Sequence, residues 1–417
     1  MFKKLSITLA LLLIGGALAQ TTVTWWDFLG GGDGVRMKSL IDDFNASHDD
    51  IQIEATTLEW GPPFYTKVQT SAAVGESPDI ITYHVSRFPL AVSQNVLRPI
   101  TEDELASVGL STSDFNPNLV EAMTYDGQLY GVPFDIHSLV LYYNRDILEP
   151  LGLLDENGQP NFQDGLESFN AALATIAESG TTPLALGNAD NGTTYRIFYS
   201  LLNQQEGASL ITDGEVTMGE AGEVALQTIR DWVENGHAPE NTEYGASIAL
   251  FTSGEAAMTI NGVWEVPTMV DLAAKGELFD WGAIRVPVLF DQPATWADSH
   301  AFAIPNDQRE PISDEQAAAV LEVISWMNQN SLFWATAGHI PAYNPITDSA
   351  DYSEMEPNAT YAVLADTAVF EPQSTATGVA SPTYDAVLNY LVPAVNGQLP
   401  VDQAIQMMTQ DLNSQLR

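Results

Sequence analysis

The chain contains no cysteine. No disulfide can staple it, no thiolate can serve as nucleophile or metal ligand, and no thiol can carry a lipid behind a leader. It is also short of positive charge: 14 Lys and Arg stand against 55 Asp and Glu in 417 residues, a net charge of −41. Such a field repels phosphate backbones and anionic headgroups, so neither nucleic-acid binding nor stable membrane insertion is expected. The acidity reads as a solvated, soluble surface. Long apolar runs are missing too, since no stretch beyond the N-terminus approaches the ~20 residues that span a bilayer. Several signature motifs are absent: there is no H-E-x-x-H and no G-x-S-x-G, and Gly30-Gly31-Gly32-Asp33-Gly34 lacks both the Lys-Ser/Thr pair and the G-x-G-x-x-G spacing of phosphate cradles. Metalloprotease, serine-hydrolase and nucleotide chemistry lose their best support.

The N-terminus carries Lys3-Lys4, an apolar stretch from Leu5, and Ala17-Leu18-Ala19 ahead of Gln20. A charged region, an apolar region and an A-x-A site predict a secretory signal peptide, residues 1–19, cleaved after Ala19. At about 150 residues per domain the remainder has room for two, and 45% hydrophobic residues can fill two cores.

Periodicity gives an α/β reading. Strands are predicted at 23–26, 51–55 and 79–83, alternating with helices beginning near Val35 and over 65–74. Right-handed crossovers make such strands parallel, and ligands of open parallel sheets sit beyond the strands' carboxyl ends. Those ends carry Asp27, Phe28 and Asp33, then Glu59, Trp60 and Phe64, then Tyr83, His84 and Arg87. The grammar restarts after 138: a strand at 138–143, a helix at 166–178, a strand at 182–186 ending in Asn188, Asp190 and Asn191, and a strand at 256–260 opening onto Asn261-Gly262-Val263-Trp264-Glu265. Helices are predicted at 313–329, 382–395 and 401–415. Pro-flanked strands at 131–137 and 287–304 are natural crossings between two lobes.

Two Asp-x-His pairs, Asp135/His137 and Asp298/His300, precede apolar strands. Alternation puts both members of a pair on one strand face, where imidazole plus carboxylate suits zinc. A coordinating site needs three or four converging ligands, and a hydrogen-bonded pair that fixes a tautomer for a polar ligand explains the spacing equally. The expectation is therefore no metal and no cofactor. A glycosidase would need two carboxylates at a set separation, for which Asp135, Asp298, Glu59 and Glu265 are the candidates. Among the tryptophans, Trp232, Trp281, Trp326 and Trp334 lie in apolar contexts and read as core. Trp60, Trp264 and Trp296 sit in loops beside Gly, Pro, Glu or Asp and read as platforms for a sugar ring, with carboxylates, Asn, His and Arg bonding its hydroxyls.

The succession VTWWDF, an amphipathic helix ending in Phe44 and Asn45, AVGESPDI, GQLYGVPFDIHSLVLYYNRDIL followed by Gly152-Leu153, FTSGEAAMTINGVW and GHIPAYNP resembles the family 1 extracellular solute-binding proteins of ABC importers, in order and over nearly the whole mature chain. The resemblance implies a two-lobed periplasmic-binding-protein fold of the type II, Venus-flytrap kind, with discontinuous lobes joined by hinge strands. The lobes would be 20–132 with 298–344, and 133–297 with 345–417. It implies a monomeric, non-enzymatic periplasmic receptor that delivers a sugar or oligosaccharide to ABC permease subunits; a secreted carbohydrate-active enzyme and a metal-binding receptor of the same fold are the alternatives. By position, Phe28, Asp33, Trp60, Tyr83, His84 and Arg87 would serve the first lobe. Trp264, Glu265 and Trp296 would serve the second, Asp135, His137, Asp298 and His300 the cleft floor, and Tyr343 the last crossing. Asp135→Ala and Trp264→Ala are expected to weaken sugar binding without unfolding the chain.

Overall fold

The computed structural model describes residues 20–307, 309 and 311–416; the expected signal peptide, 1–19, lies outside them. The main strands are β1 (Thr21–Asp27), β2 (Ile51–Thr57), β3 (Ile80–His84), β4 (Val132–Pro133), β5 (Asp135–Asn144), β6 (Thr182–Ala185), β7 (Ala256–Gly262), β8 (Trp281–Arg285), β9 (Thr295–Asp298), β10 (His300–Ala303), β11 (Ile340–Pro341) and β12 (Ala368–Phe370). The first sheet runs β2-β1-β3-β10-β4, with β1 parallel to β2 and β3, and β10 antiparallel to β3 and β4. The second runs β12-β9-β5-β7-β6, with β8 and β11 also paired to β5.

The β1–helix–β2–helix–β3 unit forms as periodicity predicts. The glycine-rich segment departs from expectation, because it is the first turn of the helix Gly31–Ser47 and not a separate loop. That helix buries Met37, Leu40, Ile41 and Phe44, a stripe spaced at three and four residues, against the sheet.

The chain leaves the first sheet at Pro133 and enters the second at Asp135, and it returns between Asp298 and His300. Ile340 and Pro341 then pair with Ile136 and Asp135, bringing a third segment to the same place. All ten residues of β5 are buried. The odd-numbered face of β5 therefore changes from Asp135 and His137 to Leu139, Leu141 and Tyr143 because it passes from the junction of the two sheets into the core of the second.

Candidate ligand-binding site

Where the crossings meet, a cavity of about 520 Å³ opens between the sheets. The first lobe contributes Phe28, the backbone of Leu29 to Gly32, Asp33, Trp60 and His84; the second contributes Asp190, Gly192, Arg196, Tyr244, Trp264, Glu265 and Thr268. His137, His300 and His339 come from the crossings.

Local sequence accounts for most placements. The helix Gly31–Ser47 points its first turn into the cavity, where its unpaired backbone N–H groups and Asp33 are offered to a ligand. A Cβ at Gly32 would lie 2.4 Å from the Pro267 ring across the cleft, so only glycine lets the two lobes approach there. Asp33 is buried; its Oδ2 faces His339 Nε2 at 3.1 Å, while its Oδ1 has no hydrogen-bond partner among the described residues. Trp264 is half-buried and held by its indole N–H, which donates to the Tyr244 hydroxyl at 2.7 Å; that hydroxyl donates to Glu265 Oε1 at 2.6 Å. Thr268 donates to the other Glu265 oxygen at 3.0 Å. Burial pushes the Glu265 carboxyl up, against the Tyr244 and Thr268 hydrogen bonds, and the nearby Asp33 charge adds to the rise. Arg196 stacks over Trp264 at 4.8 Å and Trp296 at 4.5 Å, and its Nε has no hydrogen-bond partner among the described residues.

Beneath the cavity lies Asp135, fully buried. Its Oδ1 accepts from the His300 backbone N–H at 2.9 Å and lies 3.2 Å from His137 Nδ1. Its Oδ2 accepts from Trp334 Nε1 at 2.8 Å and lies 2.8 Å from His300 Nδ1 and 3.3 Å from His339 Nδ1. Burial pushes this carboxyl up, but the charges of His300 and His339 and the hydrogen bonds from His137 and His300 outweigh it, holding it well below the ordinary range. His137 stays neutral: burial and the neighbouring His300 lower it to about 3 despite Asp135. Burial likewise depresses His84, whereas at His339 the carboxylates of Asp33 and Asp135 overcome burial and raise it.

Residues 39–386 match the family described as bacterial extracellular solute-binding protein. The chain belongs to this family. Among similar proteins, the lactose-binding protein of Rhizobium radiobacter is 27% identical to this binding protein over 306 residues, 70% of this chain and 68% of that one. The sn-glycerol-3-phosphate-binding periplasmic protein of Shigella flexneri is 27% identical over 174 residues, 40% of this chain and 39% of that one. Maltose-bound MalE3 of T. maritima matches the fold with a TM-score of 0.79 at 20% identity, over 95% of this chain and all (100%) of that one. The GacH receptor of Streptomyces glaucescens, solved unliganded and with acarbose, gives 0.78 at 20% identity over 95% and 98%. The solute-binding protein thus has the two-lobed α/β fold with discontinuous lobes.

Of the residues expected to contact ligand, Phe28, Asp33, Trp60, His84, His137, Trp264, Glu265 and His300 line the cavity. Six others do not. Tyr83 is next to His84 on β3, so alternation turns it into the first core. Arg87 is buried over the Tyr65 ring at 4.8 Å. Trp296 is wholly buried and donates its indole N–H to Glu371 at 3.1 Å, so it supports Arg196 from below and offers no face to a sugar. Tyr343 immediately precedes the short helix Asn344–Thr347 and packs on Phe115. Asp135 lies under the floor, and Asp298 is consumed by Ser86, whose N–H and hydroxyl donate to it at 3.1 and 2.5 Å. The second Asp-x-His pair is therefore not a pair. The crossing at Ser299 breaks the alternation, and His300 turns to Asp135 instead. Of the glycosidase carboxylates, Glu59 is exposed away from the cavity and only Glu265 lines it.

Sequence reasoning did not select Asp190, Arg196, Tyr244, Thr268 or His339 as site residues. A signal existed for Arg196: it is a lone cation in the apolar helix Asn191–Asn203, and Asp190 is that helix's N-cap, accepting from Thr193 N at 2.6 Å.

Proposed function

We propose that this protein is the solute-binding component of an ABC importer that captures a sugar or oligosaccharide between its lobes and presents the closed form to membrane permease subunits. The observation that carries the reading is the pairing of aromatic faces at the cavity, Trp60 and Trp264, with carboxylates, imidazoles and a guanidinium around them. An indole face packs against the C–H face of a pyranose, and Asp33 Oδ1 and Arg196 Nε supply a buried acceptor and a buried donor that hydroxyl groups satisfy. The names of the similar proteins, which include lactose-binding and maltodextrin-binding proteins, support the same class of ligand.

Capture proceeds without bond making. Closure excludes water from the cleft, which strengthens the polar contacts, and ligand shifts the population toward the closed form. The three crossings absorb the rotation between lobes placed at 20–132 with 298–344 and at 133–297 with 345–417. The mature chain begins at Gln20 and acts in the periplasm as a monomer; no helix of the described residues is long and apolar enough to cross a membrane. The test is calorimetric titration and a thermal-shift screen with mono- and oligosaccharides, polyols and uronates. Saturable binding of a sugar with no release of reducing ends supports the reading, and a flat screen overturns it.

A further inference from the structure

Of the six histidines in the chain, His84, His137, His300 and His339 meet at the cleft floor, brought there from β3, β5, β10 and the segment before β11. The Asp-x-His spacing pointed to His137 and His300 separately, but only the fold brings them together with each other and with His339. One ligating atom each from Asp135, His137, His300 and His339 lies within 4.8 Å of all the others, and all four residues are buried. Asp135 Oδ2 lies 2.8 Å from His300 Nδ1 and 3.3 Å from His339 Nδ1, and the carboxylate's other oxygen, Oδ1, lies 3.2 Å from His137 Nδ1. A tetrahedral zinc site with metal–ligand bonds near 2.0–2.1 Å has ligand–ligand edges of about 3.3 Å.

We propose that Asp135, His137, His300 and His339 form a binding site for a divalent first-row transition metal of the zinc type. Three imidazole nitrogens and one carboxylate oxygen are the donor set such an ion prefers over magnesium or calcium. The supporting contacts have the form known to orient metal ligands. His339 presents Nδ1 to the cluster while its Nε2 faces the Asp33 carboxylate at 3.1 Å, and Asp135 is fixed by Trp334 Nε1 and the His300 backbone N–H. His339 Nδ1 is a buried nitrogen with no hydrogen-bond partner among the described residues, although it lies beside Asp135; a metal ion would take up its lone pair.

The adjoining triple His84, His137 and Asp298 is the weaker set. His84 Nδ1 is already engaged by the Tyr65 hydroxyl at 2.6 Å, and Asp298 is engaged by Ser86. Entry is open, because His137, His300 and His339 all border the cavity. An ion held by β5, by β10 and by the segment leading to β11 ties the three crossings together at the hinge.

The inference is independent of the sugar reading, and the experiment separates them. The untagged mature protein is stripped with a chelator, then loaded with Zn2+ and desalted. One retained zinc per chain, a raised unfolding midpoint, and the visible spectrum of a tetrahedral imidazole-ligated ion after Co2+ substitution are expected. Asp33→Asn, which keeps all four ligands but weakens the carboxylate that faces His339 Nε2 at 3.1 Å, should weaken zinc binding roughly 10–100-fold. His300→Gln, checked by circular dichroism for folding, should abolish the tight site. Zinc lost on desalting of the parent protein, or bound equally well by a folded His300→Gln, overturns the proposal and assigns any uptake to the acidic surface. Sugar titrations run with and without chelator report separately: sugar binding in a chain that retains no zinc overturns only the metal site, and zinc retained by a chain that binds no sugar overturns only the sugar reading.

Discussion

Gly262 has no room for a side chain, since a Cβ built there would sit 2.1 Å from the Trp264 ring. Its neighbour Asn261 accepts from the Gly262 N–H at 2.7 Å, and the Tyr142 hydroxyl donates to the Gly262 carbonyl at 2.7 Å, so the backbone cannot retreat. We therefore expect Gly262→Ala to displace Trp264 and to weaken sugar binding about as much as Trp264→Ala does, with the fold retained; calorimetry on both variants checks this. For Trp264→Ala the expected loss is about tenfold, from stacking worth ~0.5–1.5 kcal/mol plus lost apolar area. For Asp135 the burial leads to a different expectation from that of the sequence. Removing a wholly buried anion that several N–H groups face leaves those groups unpaired, a cost of about 3–5 kcal/mol. Asp135→Ala is thus expected to lower the unfolding midpoint sharply rather than merely to weaken binding, and a denaturant titration decides between the two.

Contacts between elements set the equilibria of the cleft. The helices Gly31–Ser47 and Val266–Ala274 face each other across its mouth, where Arg36 pairs with the half-exposed Asp271 at 3.2 Å beside the Gly32–Pro267 contact. An exposed ion pair contributes ~0.2–1 kcal/mol, so Asp271→Asn should favour the open form and weaken ligand binding by a factor of up to about five. Titrations at low and high salt check this, because the difference between variant and parent should vanish at high ionic strength.

Behind the second sheet, Glu371 receives hydrogen bonds from Trp296 Nε1, Tyr195 and the Gly378 N–H at 3.1, 3.1 and 2.7 Å. Burial nevertheless raises its carboxyl to about 7, helped by the Asp298 charge and opposed by those donors. A carboxyl whose folded value lies above its unfolded one holds its proton longer in the native state. Its contribution is full below the unfolded value near 4.5 and is lost as pH rises through 7. Relative to Glu371→Gln, the parent protein should lose about 3 kcal/mol of stability between pH 4.5 and pH 8. Comparing the two proteins cancels the opposite trend from the depressed His137, which gains stability over pH 3 to 6.5. A stability difference that does not change with pH would show that Glu371 is ionised throughout.

Over the whole molecule, a net charge of −41 destabilises the compact state by self-repulsion. Added salt shortens the screening length from about 10 Å at 0.1 M to about 3 Å at 1 M, so the unfolding midpoint should rise with NaCl and rise equally with KCl. A midpoint indifferent to both would mean that the carboxylates are already too dispersed to repel one another. The same field draws divalent cations weakly to the surface, which is why the zinc experiment depends on stoichiometric retention and not on uptake.

The sequence by itself determined the layered α/β class, the order of strands and helices, the placement of both main crossings, and the position of Trp264 just past a strand end that opens on the cavity. These follow from local periodicity and from the direction of parallel strands, which are short-range properties of the chain. What lay beyond it were pairings between residues far apart in sequence. Asp135 meets His300, His339 and Trp334 across separations of 165 residues or more, and Asp298 turns from His300 to Ser86 because the chain changes sheets at Ser299. Arg196 and Tyr244 reach the cavity from the helices Asn191–Asn203 and Tyr244–Thr252, and His339 reaches it from the segment before β11. A strand's alternation states which residues share a face, but only the docking of two lobes decides what that face meets. The four buried ligands at the cleft floor therefore exist as a site in the folded molecule alone.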